Sequence, residues 1–461
     1  MKPKPILIYI FVCVVIFAIS LTMTSCKKLV QVDEPDDSLT ASMVFSNDSL
    51  AQAAVAGLYI KVMSNTKFLL NGGMSLFPGL SADEVVRTSA MNNEEQFTNN
   101  AILPSNQLIN VNLWKAAYTY IYHSNICIEG LQRSSGVNET LKKQLTGEVL
   151  FVRALCYYYL VNLYGDVPLV LNTNAEVNAL LPRTQADKVY IQIESDLLAA
   201  RDALAGTQLN TRPTQHAAMA LLARVYLHMQ YWGRAEEMAN AVINSGLFTL
   251  SNDLNAVFKI KSPEIIFQWA PANLNSGDGF IFVPSSPAIR PTYTIDSNLL
   301  SAFETNDLRK QNWIKTVKVN STTYSHPYKY KIYISTGVPD EYNVVLRLAE
   351  QYLIRAEARA RQLRVEEAVD DINIIRSRAG LAELSKNISS DLCWQKLEQE
   401  RRVEFFAEWG HRWFDLKRTQ QADAVLGIAK GARWHPNDKL YPIPLIELEN
   451  APNLEQNPGY N

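Results

Sequence analysis

The chain has 461 residues, with 44 Lys and Arg against 46 Asp and Glu, and five cysteines. A formal net charge of −2 excludes the basic excess of a nucleic-acid binder. The length exceeds one ordinary hydrophobic core, so either two domains or one extended helical array must absorb it.

The chain opens with Lys2 and Lys4, followed by an apolar run from Ile6 to Leu21 that only Ser20 interrupts. A basic start, an apolar stretch and then small residues predict a secretory signal over 1–25. The run is short for a membrane span, which takes ~20 apolar residues. Met23-Thr24-Ser25 before Cys26 resembles a bacterial lipobox. In that resemblance Cys26 receives lipid and becomes the first residue of the mature protein. A single acyl chain anchors only marginally, and the lipoprotein modification supplies more than one. Residues 26–40, polar and rich in Asp, suit a tether. Removing 1–25 takes away two lysines and no acid, leaving 42 basic residues against 46 acidic, or −4. Cys13 leaves with the signal and Cys26 is occupied by lipid. Cys127, Cys156 and Cys393 remain, with no C-x-x-C, so zinc and redox patterns are missing. Cys127 and Cys156 lie in apolar helical stretches and are expected in the core.

Residues 87–112, "RTSAMNNEEQFTNNAILPSNQLINVN", form an asparagine-heavy irregular stretch. A helical hairpin follows, "LWKAAYTYIYHSNICIEGL" with "LTGEVLFVRALCYYYLVNLYGDVPL"; Gly165 ends it and Pro168 prevents resumption. A second lies in "AAMALLARVYLHMQYWGRAEEMANAVINSGLF". Leu222, Ala223, Tyr226 and Leu227 open it, Trp232, Ala235, Ala239 and Val242 continue it, and Gly246 stops it. A third lies in "VVLRLAEQYLIRAEARA" with "VEEAVDDINIIRSRAG". Val344, Val345, Leu348, Ala349, Tyr352, Leu353 and Ala356 share one helical face. Ala368, Ile372 and Ile375 line the next helix, and Gly380 closes it. The last two hairpins share A-x-x-Y-L, Ala223/Tyr226/Leu227 against Ala349/Tyr352/Leu353. Small alanines let the paired helices approach, and the tyrosine fills the groove beside them. The pattern predicts a mainly α fold over 41–461. It is an irregular, tetratricopeptide-like scaffold of helical hairpins with long loop-rich insertions carrying a few short strands. The larger insertion, about 251–343, is rich in Pro, Gly, Asn, Ser and aromatics, which include Trp269, Phe280, Tyr293, Trp313 and Tyr333. "EIIFQWA" and "YKYKIYI" within it are expected as short strands. So long an irregular stretch is functional or disordered, and its aromatic content argues against disorder.

No G-x-S-x-G elbow, Walker loop, G-x-G-x-x-G or H-E-x-x-H occurs. The most charged stretch is "LEQERRVEFFAEWGHRWFDLKR". Glu400, Glu404 and Glu408 at i, i+4 and i+8 share a helical face. A surface glycosidase would pair Glu400 with Glu404 as acid and nucleophile, and a metal site would use Glu408, His411 and Asp415. Arg401, Arg402, Arg412 and Arg418 interleave these acids, however, and Gly410 interrupts the helix. That density of arginine and carboxylate predicts a structural ion network. No catalytic residue, metal ligand or cofactor is expected.

Six stretches, taken in order, resemble the SusD/RagB family of Bacteroidetes outer-membrane nutrient-binding lipoproteins. They are Trp114, Tyr118, Ile121 and Asn125; "GEVLFVRALCYYYLVNLYGDVPLV"; "LLARVYL" with its following Trp232 and Ala235; "LRLAEQYLIRAEARA" with "INIIRSRAG"; "ERRVEFFAEWGHRWFDLKR"; and "LYPIPLIELENAPNLEQNPGY". The resemblance implies a non-catalytic protein, lipid-anchored at the cell surface, that captures oligosaccharide, or in some members peptide, above a TonB-dependent transporter of the SusC type. The family's surface-export signal places acids directly after the lipidated cysteine. Here Lys27 and Lys28 come first, then Asp33 and Glu34. The ligand site is expected on the loops, where aromatic faces stack on sugar rings and amides meet hydroxyls. Trp313, in the polar "RKQNWIK", offers the largest stacking face. Tyr293 follows a proline in "IRPTYT", which lowers the entropy cost of presenting its ring. Phe97, Asn99 and Asn100 would face it from the other insertion, with Arg290 and Asn92 toward hydroxyls. A scaffold that binds only protein, or a peptide binder, is the remaining alternative.

Overall fold

The structure, a computed structural model, describes residues 41–272, 274–334 and 337–460. The expected signal, Cys26 and tether lie outside the described residues. The chain divides after Val44, and of the first unit only the single helical turn Ala41–Val44 is described.

From Phe45 onward the three expected hairpins are present within a longer helical series. Helix α1, Asp48–Met63, starts at Asn47, whose side chain accepts from the Leu50 N–H at 3.1 Å. The short helix α2 is Gly73–Ser81, strand β1 is Val85–Arg87, and helix α3 is Asn92–Thr98. The first hairpin is α4, Lys115–Arg133, with α5, Glu139–Tyr164. Asn138 caps α5, and Gly165 at φ 73° ends it, a backbone position that favours glycine.

Helix α6, Ala186–Ala203, packs between α5 and α7, Gln215–His228. The sequence reading passed over α6, although Val189, Ile193, Leu197 and Ala200 form an apolar stripe on it. Within that stripe Asp196 takes Arg153 of α5 in a two-pronged pair at 2.7 and 2.8 Å. The backbones approach closely at Gly147 of α5. A Cβ there would stand 2.8 Å from the Ala203 Cβ and 2.9 Å from the Leu204 Cγ. Helix α8, Trp232–Ile243, completes the second hairpin.

The insertion then supplies β2 (Ile265–Trp269), the short helix α9 (Gly277–Phe282), β3 (Tyr293–Ile295), helix α10 (Leu308–Trp313), and the hairpin β4 (Ile314–Val319) and β5 (Thr322–Pro327), followed by β6 (Asn343–Arg347). The strands make three two-stranded antiparallel sheets, β1 with β3, β2 with β6 and β4 with β5.

Two expectations are corrected here. Val344 and Val345 belong to β6, not to the following helix, and β6 is buried on both faces. Adjacent β-branched residues pointing to opposite covered faces suit a strand, and pairing with Ile265–Trp269 fixes them there. "EIIFQWA" forms β2 as expected, but "YKYKIYI" is not a strand. Its Lys329 and Lys331 turn inward, and the Glu341 carboxylate accepts the Lys331 N–H at 2.8 and 2.9 Å and the Ile332 N–H at 3.1 Å.

The third hairpin is α11, Leu348–Arg361, with α12, Val365–Arg378. Helix α13, Ser390–Glu404, lies across it. Ala349, Leu353 and Ala356 of α11 meet Ala368, Ile372 and Ile375 of α12 and Leu397 of α13 in one buried cluster. Helix α14, His411–Arg418, and the C-terminal helix α15, Leu445–Asn450, follow. Cys127, Cys156 and Cys393 are free and buried, as expected of small apolar side chains. Among the described residues no helix is long and apolar enough to cross a membrane.

Candidate functional site

The charged stretch of the sequence builds an interior ion network. Glu404 bonds Arg347 at 2.5 Å, Arg309 at 3.1 Å, and Arg378. Glu400 pairs with Arg309 at 2.5 Å. Glu264 takes Arg347 and Arg378 at 3.1 and 3.0 Å, and Glu408 takes Arg347 at 2.9 Å and Lys329. All of these side chains are buried. Burial opposes the charge of Glu404, yet Arg378, Arg347 and Arg309 outweigh it and hold its carboxyl well below the usual range. Burial instead raises the carboxyl of Glu400, but both acids are enclosed, and the glycosidase pairing of Glu400 with Glu404 has no surface through which a sugar could reach it. The metal alternative is dispersed as well. Glu408 faces Arg347, Asp415 holds Arg401 and Arg418, and His411 lies against the Phe405 ring. Helix α13 ends at Glu404, and Ala407, Trp409 and Gly410 turn the chain with positive φ, so Glu408 does not continue that helix.

Trp313, expected as an open platform, is instead 0 % exposed. Its indole N–H donates to the Leu254 carbonyl at 2.8 Å. Lys329 lies 4.8 Å from its ring centre, and Arg347 and Arg378 lie 5.9 and 5.8 Å away. The polar neighbours in "RKQNWIK" misled because Arg309 itself turns inward to Asp307 and Glu400. Trp313 covers the ion network, where ring and cations attract. Phe97 is also corrected to the core, stacked 4.8 Å from Phe77 and edge-on to Tyr441. Asn100 is buried in a left-handed conformation, its amide donating to the Ser81 carbonyl at 3.1 Å. Asn99 is half-buried and accepts from Arg433 at 2.7 Å. Asn92 and Arg290 are exposed.

The two insertions nevertheless meet. Strand β1 pairs with β3, setting Val85 against Ile295 and Arg87 against Tyr293. Beyond the ladder the Thr88 N–H donates to the Thr292 carbonyl at 3.0 Å and its hydroxyl to the Pro291 carbonyl at 2.7 Å. Tyr293 is therefore brought to α3, where its hydroxyl donates to Glu94 at 2.7 Å. Lys67 donates to Glu94 at 2.8 Å and to the Tyr293 hydroxyl at 2.9 Å, and Arg87 also pairs with Glu94. The Tyr293 ring is covered by Phe282 and flanked by both cations, so its hydroxyl, not its face, belongs to the site.

Lys67 sits at φ 64°, uncommon for a residue other than glycine. Burial, with Arg87 beside it, lowers its ammonium to about 8. Its side chain is still 29 % exposed and that of Arg87 14 %, against 4 % for Glu94. The site thus holds one carboxylate between two cations, open on the cation side. Arg87 uses Nε and Nη1 on Ser89, Glu94 and Tyr293, which leaves the Nη2 donors over. On the same insertion Phe280, 38 % exposed, stacks on half-buried Tyr333 at 5.1 Å and 16°. Sequence reasoning missed Lys67, Arg87 and Glu94 as a group. Arg87 and Glu94 lay inside the asparagine-rich stretch, but Lys67 carried no signal of its own.

The chain matches known families and structures along most of its length. The profile of a family described as starch-binding and associating with the outer membrane matches residues 33–227, and that of the SusD family matches residues 305–460. SusD-like protein P2 of Formosa agariphila is 26% identical over 95% of this chain and 98% of its own. Starch-binding protein SusD of Bacteroides thetaiotaomicron is 25% identical over 72% of this chain and 75% of its own. The solved structure of a laminarin binding SusD-like protein superposes with a TM-score of 0.76 at 22% identity, covering 90% of this chain and all of that one.

Proposed function

The chain belongs to the SusD/RagB family, and on that premise we propose that it is a lipid-anchored outer-membrane protein that captures oligosaccharide and passes it to a TonB-dependent transporter of the SusC type. The anchor is Cys26. The ligand is a glycan, since relatives carry names for binding starch and laminarin, and the action is capture without bond cleavage, since the paired acids of the sequence are buried in arginine pairs.

The observation that carries the reading is the convergence of the two insertions on Lys67, Arg87, Glu94 and Tyr293. Ammonium and guanidinium N–H groups meet sugar hydroxyl oxygens, while the buried Glu94 carboxylate and Tyr293 hydroxyl hold those cations in place. Asn92 and Arg290 are rim donors in this reading, and the Phe280/Tyr333 stack offers an apolar sugar face a place to lie. A mobile hydroxyl-rich ligand benefits from a fixed set of partners, because less freedom is lost at binding.

Arg87→Ala removes the guanidinium yet leaves Lys67 on Glu94, so the fold should hold. Hydrogen bonds to charged groups contribute about 1.5–3 kcal/mol. The variant is therefore expected to bind its oligosaccharide about ten- to a hundredfold more weakly by calorimetry, with an unchanged circular dichroism spectrum. Wild-type affinity in a folded Arg87→Ala protein removes the cluster from the binding site.

A further inference from the structure

Away from that cluster, a groove of about 450 Å³ runs along α4. Its floor carries Trp114, Tyr118 and Tyr122, one on each successive turn. Positions four apart on a helix are ~6 Å apart along its axis, a step comparable to that between successive sugars in an extended oligosaccharide. Trp114 and Tyr118 are 5.0 Å apart between ring centres, and Tyr122 is 46 % exposed. One wall is the segment from Pro168 to Leu181, and the other is α15 with the residues after it.

Both walls are fixed. The Tyr118 hydroxyl donates to the Pro168 carbonyl at 2.9 Å. Asn453 donates to the Leu180 carbonyl at 2.7 Å, and Arg183 donates to the Glu455 carbonyl at 3.1 Å and to Asn457. The polar groups converge on the aromatic floor. Lys115, exposed, and Glu447, half-buried, both line the groove, and the Glu447 carboxylate is held by the Trp114 side chain with the Lys115 charge acting on it. Asn450 adds an exposed amide at the opposite wall.

We infer that this groove is a second oligosaccharide-binding site, in which Tyr118 and Tyr122 stack against pyranose faces and Lys115, Glu447 and Asn450 meet the hydroxyls. The inference rests on the glycan-binding reading of the chain. A pocket of ~300–1,000 Å³ with an aromatic floor and a few convergent polar groups is the form that small-ligand sites take. A sugar also suits the chemistry better than an aliphatic protein segment does. Its hydroxyls would meet the Lys115 ammonium, the Glu447 carboxylate and the Asn450 amide at the groove surface, to which an aliphatic anchor offers no partner. The site would hold ligand on the helical scaffold, apart from the loop cluster.

The test uses the mature chain with an array of neutral and acidic hexasaccharides, maltohexaose and laminarihexaose among them, followed by calorimetry with those that bind. Tyr122→Ala and Asn450→Ala change exposed side chains, so folding is not at stake. The wild type should bind two molecules of hexasaccharide. Tyr122→Ala should bind one normally and the other roughly tenfold more weakly, the scale of one lost ring contact, while Arg87→Ala should weaken the site that Tyr122→Ala leaves intact. One bound molecule, lost in Arg87→Ala and untouched in Tyr122→Ala and Asn450→Ala, overturns the groove and leaves the proposed function standing. Loss in Tyr122→Ala with none in Arg87→Ala keeps the groove and removes the loop cluster. Groove variants that bind every sugar as the wild type does but no longer co-purify with an outer-membrane protein assign the groove to a protein partner and overturn the inference. No binding by any hexasaccharide overturns both readings.

Discussion

Glu404→Gln is expected to lower the stability of the protein by about 3–5 kcal/mol, the cost of breaking a buried ion pair from one side. The reason lies in what the substitution leaves behind. Glu404 is approached by Arg309, Arg347 and Arg378, none of which has water to turn to. Glu264, Asp307, Glu400 and Glu408 remain, but each already holds one or more of these cations. The loss should appear as a lower denaturant midpoint at unchanged slope, with glycan affinity close to wild type. A pH dependence accompanies it. The folded carboxyl of Glu404 is held below its usual range, so the unfolded chain binds the proton more readily. Its contribution is complete above the unfolded value of about 4.3 and is lost as pH falls through the lower folded value. The wild type should therefore lose stability more steeply than the variant on acidification below about pH 4. A Glu404→Gln protein that unfolds like the wild type but binds no ligand contradicts the structural role.

Cys26→Ser should abolish lipid attachment and leave the lipobox uncleaved. Serine cannot form the thioether on which lipid is carried, and without lipid the lipobox precursor is not cleaved. A single acyl chain gives an association constant of only ~10⁴ M⁻¹, so in the proposed reading stable anchoring would depend on several chains carried by this one residue. The variant should incorporate no labelled palmitate and should migrate as the longer precursor that retains residues 1–25. Palmitate incorporation at the wild-type level by Cys26→Ser contradicts this reading of the lipobox.

The hairpins were legible because a helix face repeats within the sequence that forms it. Ala223, Tyr226 and Leu227 declare a stripe without reference to any distant residue, and all three are buried. The boundary at residues 343–348 was not legible. A valine pair satisfies a helix stripe or a strand equally, and only the partner strand Ile265–Trp269 decides between them. Trp313 illustrates a second limit. Its neighbours are polar, but Arg309 among them is neutralised by acids 91 and 95 residues further along the chain. Polarity in sequence marks the surface only where no distant partner waits. The candidate site shows the same limit from the other side. The two insertions were recognisable from composition, whereas their meeting depends on strands of three residues each, too short to show alternation. Lys67 joins the site across 226 residues through the Tyr293 hydroxyl, a relation no local pattern carries.

The central claim is that this chain captures a glycan and leaves it intact, and calorimetric titration of the mature protein with oligosaccharides, followed by chromatography of the recovered ligand, tests it most directly. The account predicts saturable heat with an oligosaccharide and recovery of that oligosaccharide unchanged after prolonged incubation. Shorter sugars in the recovered ligand, or no saturable heat with any oligosaccharide, would contradict it.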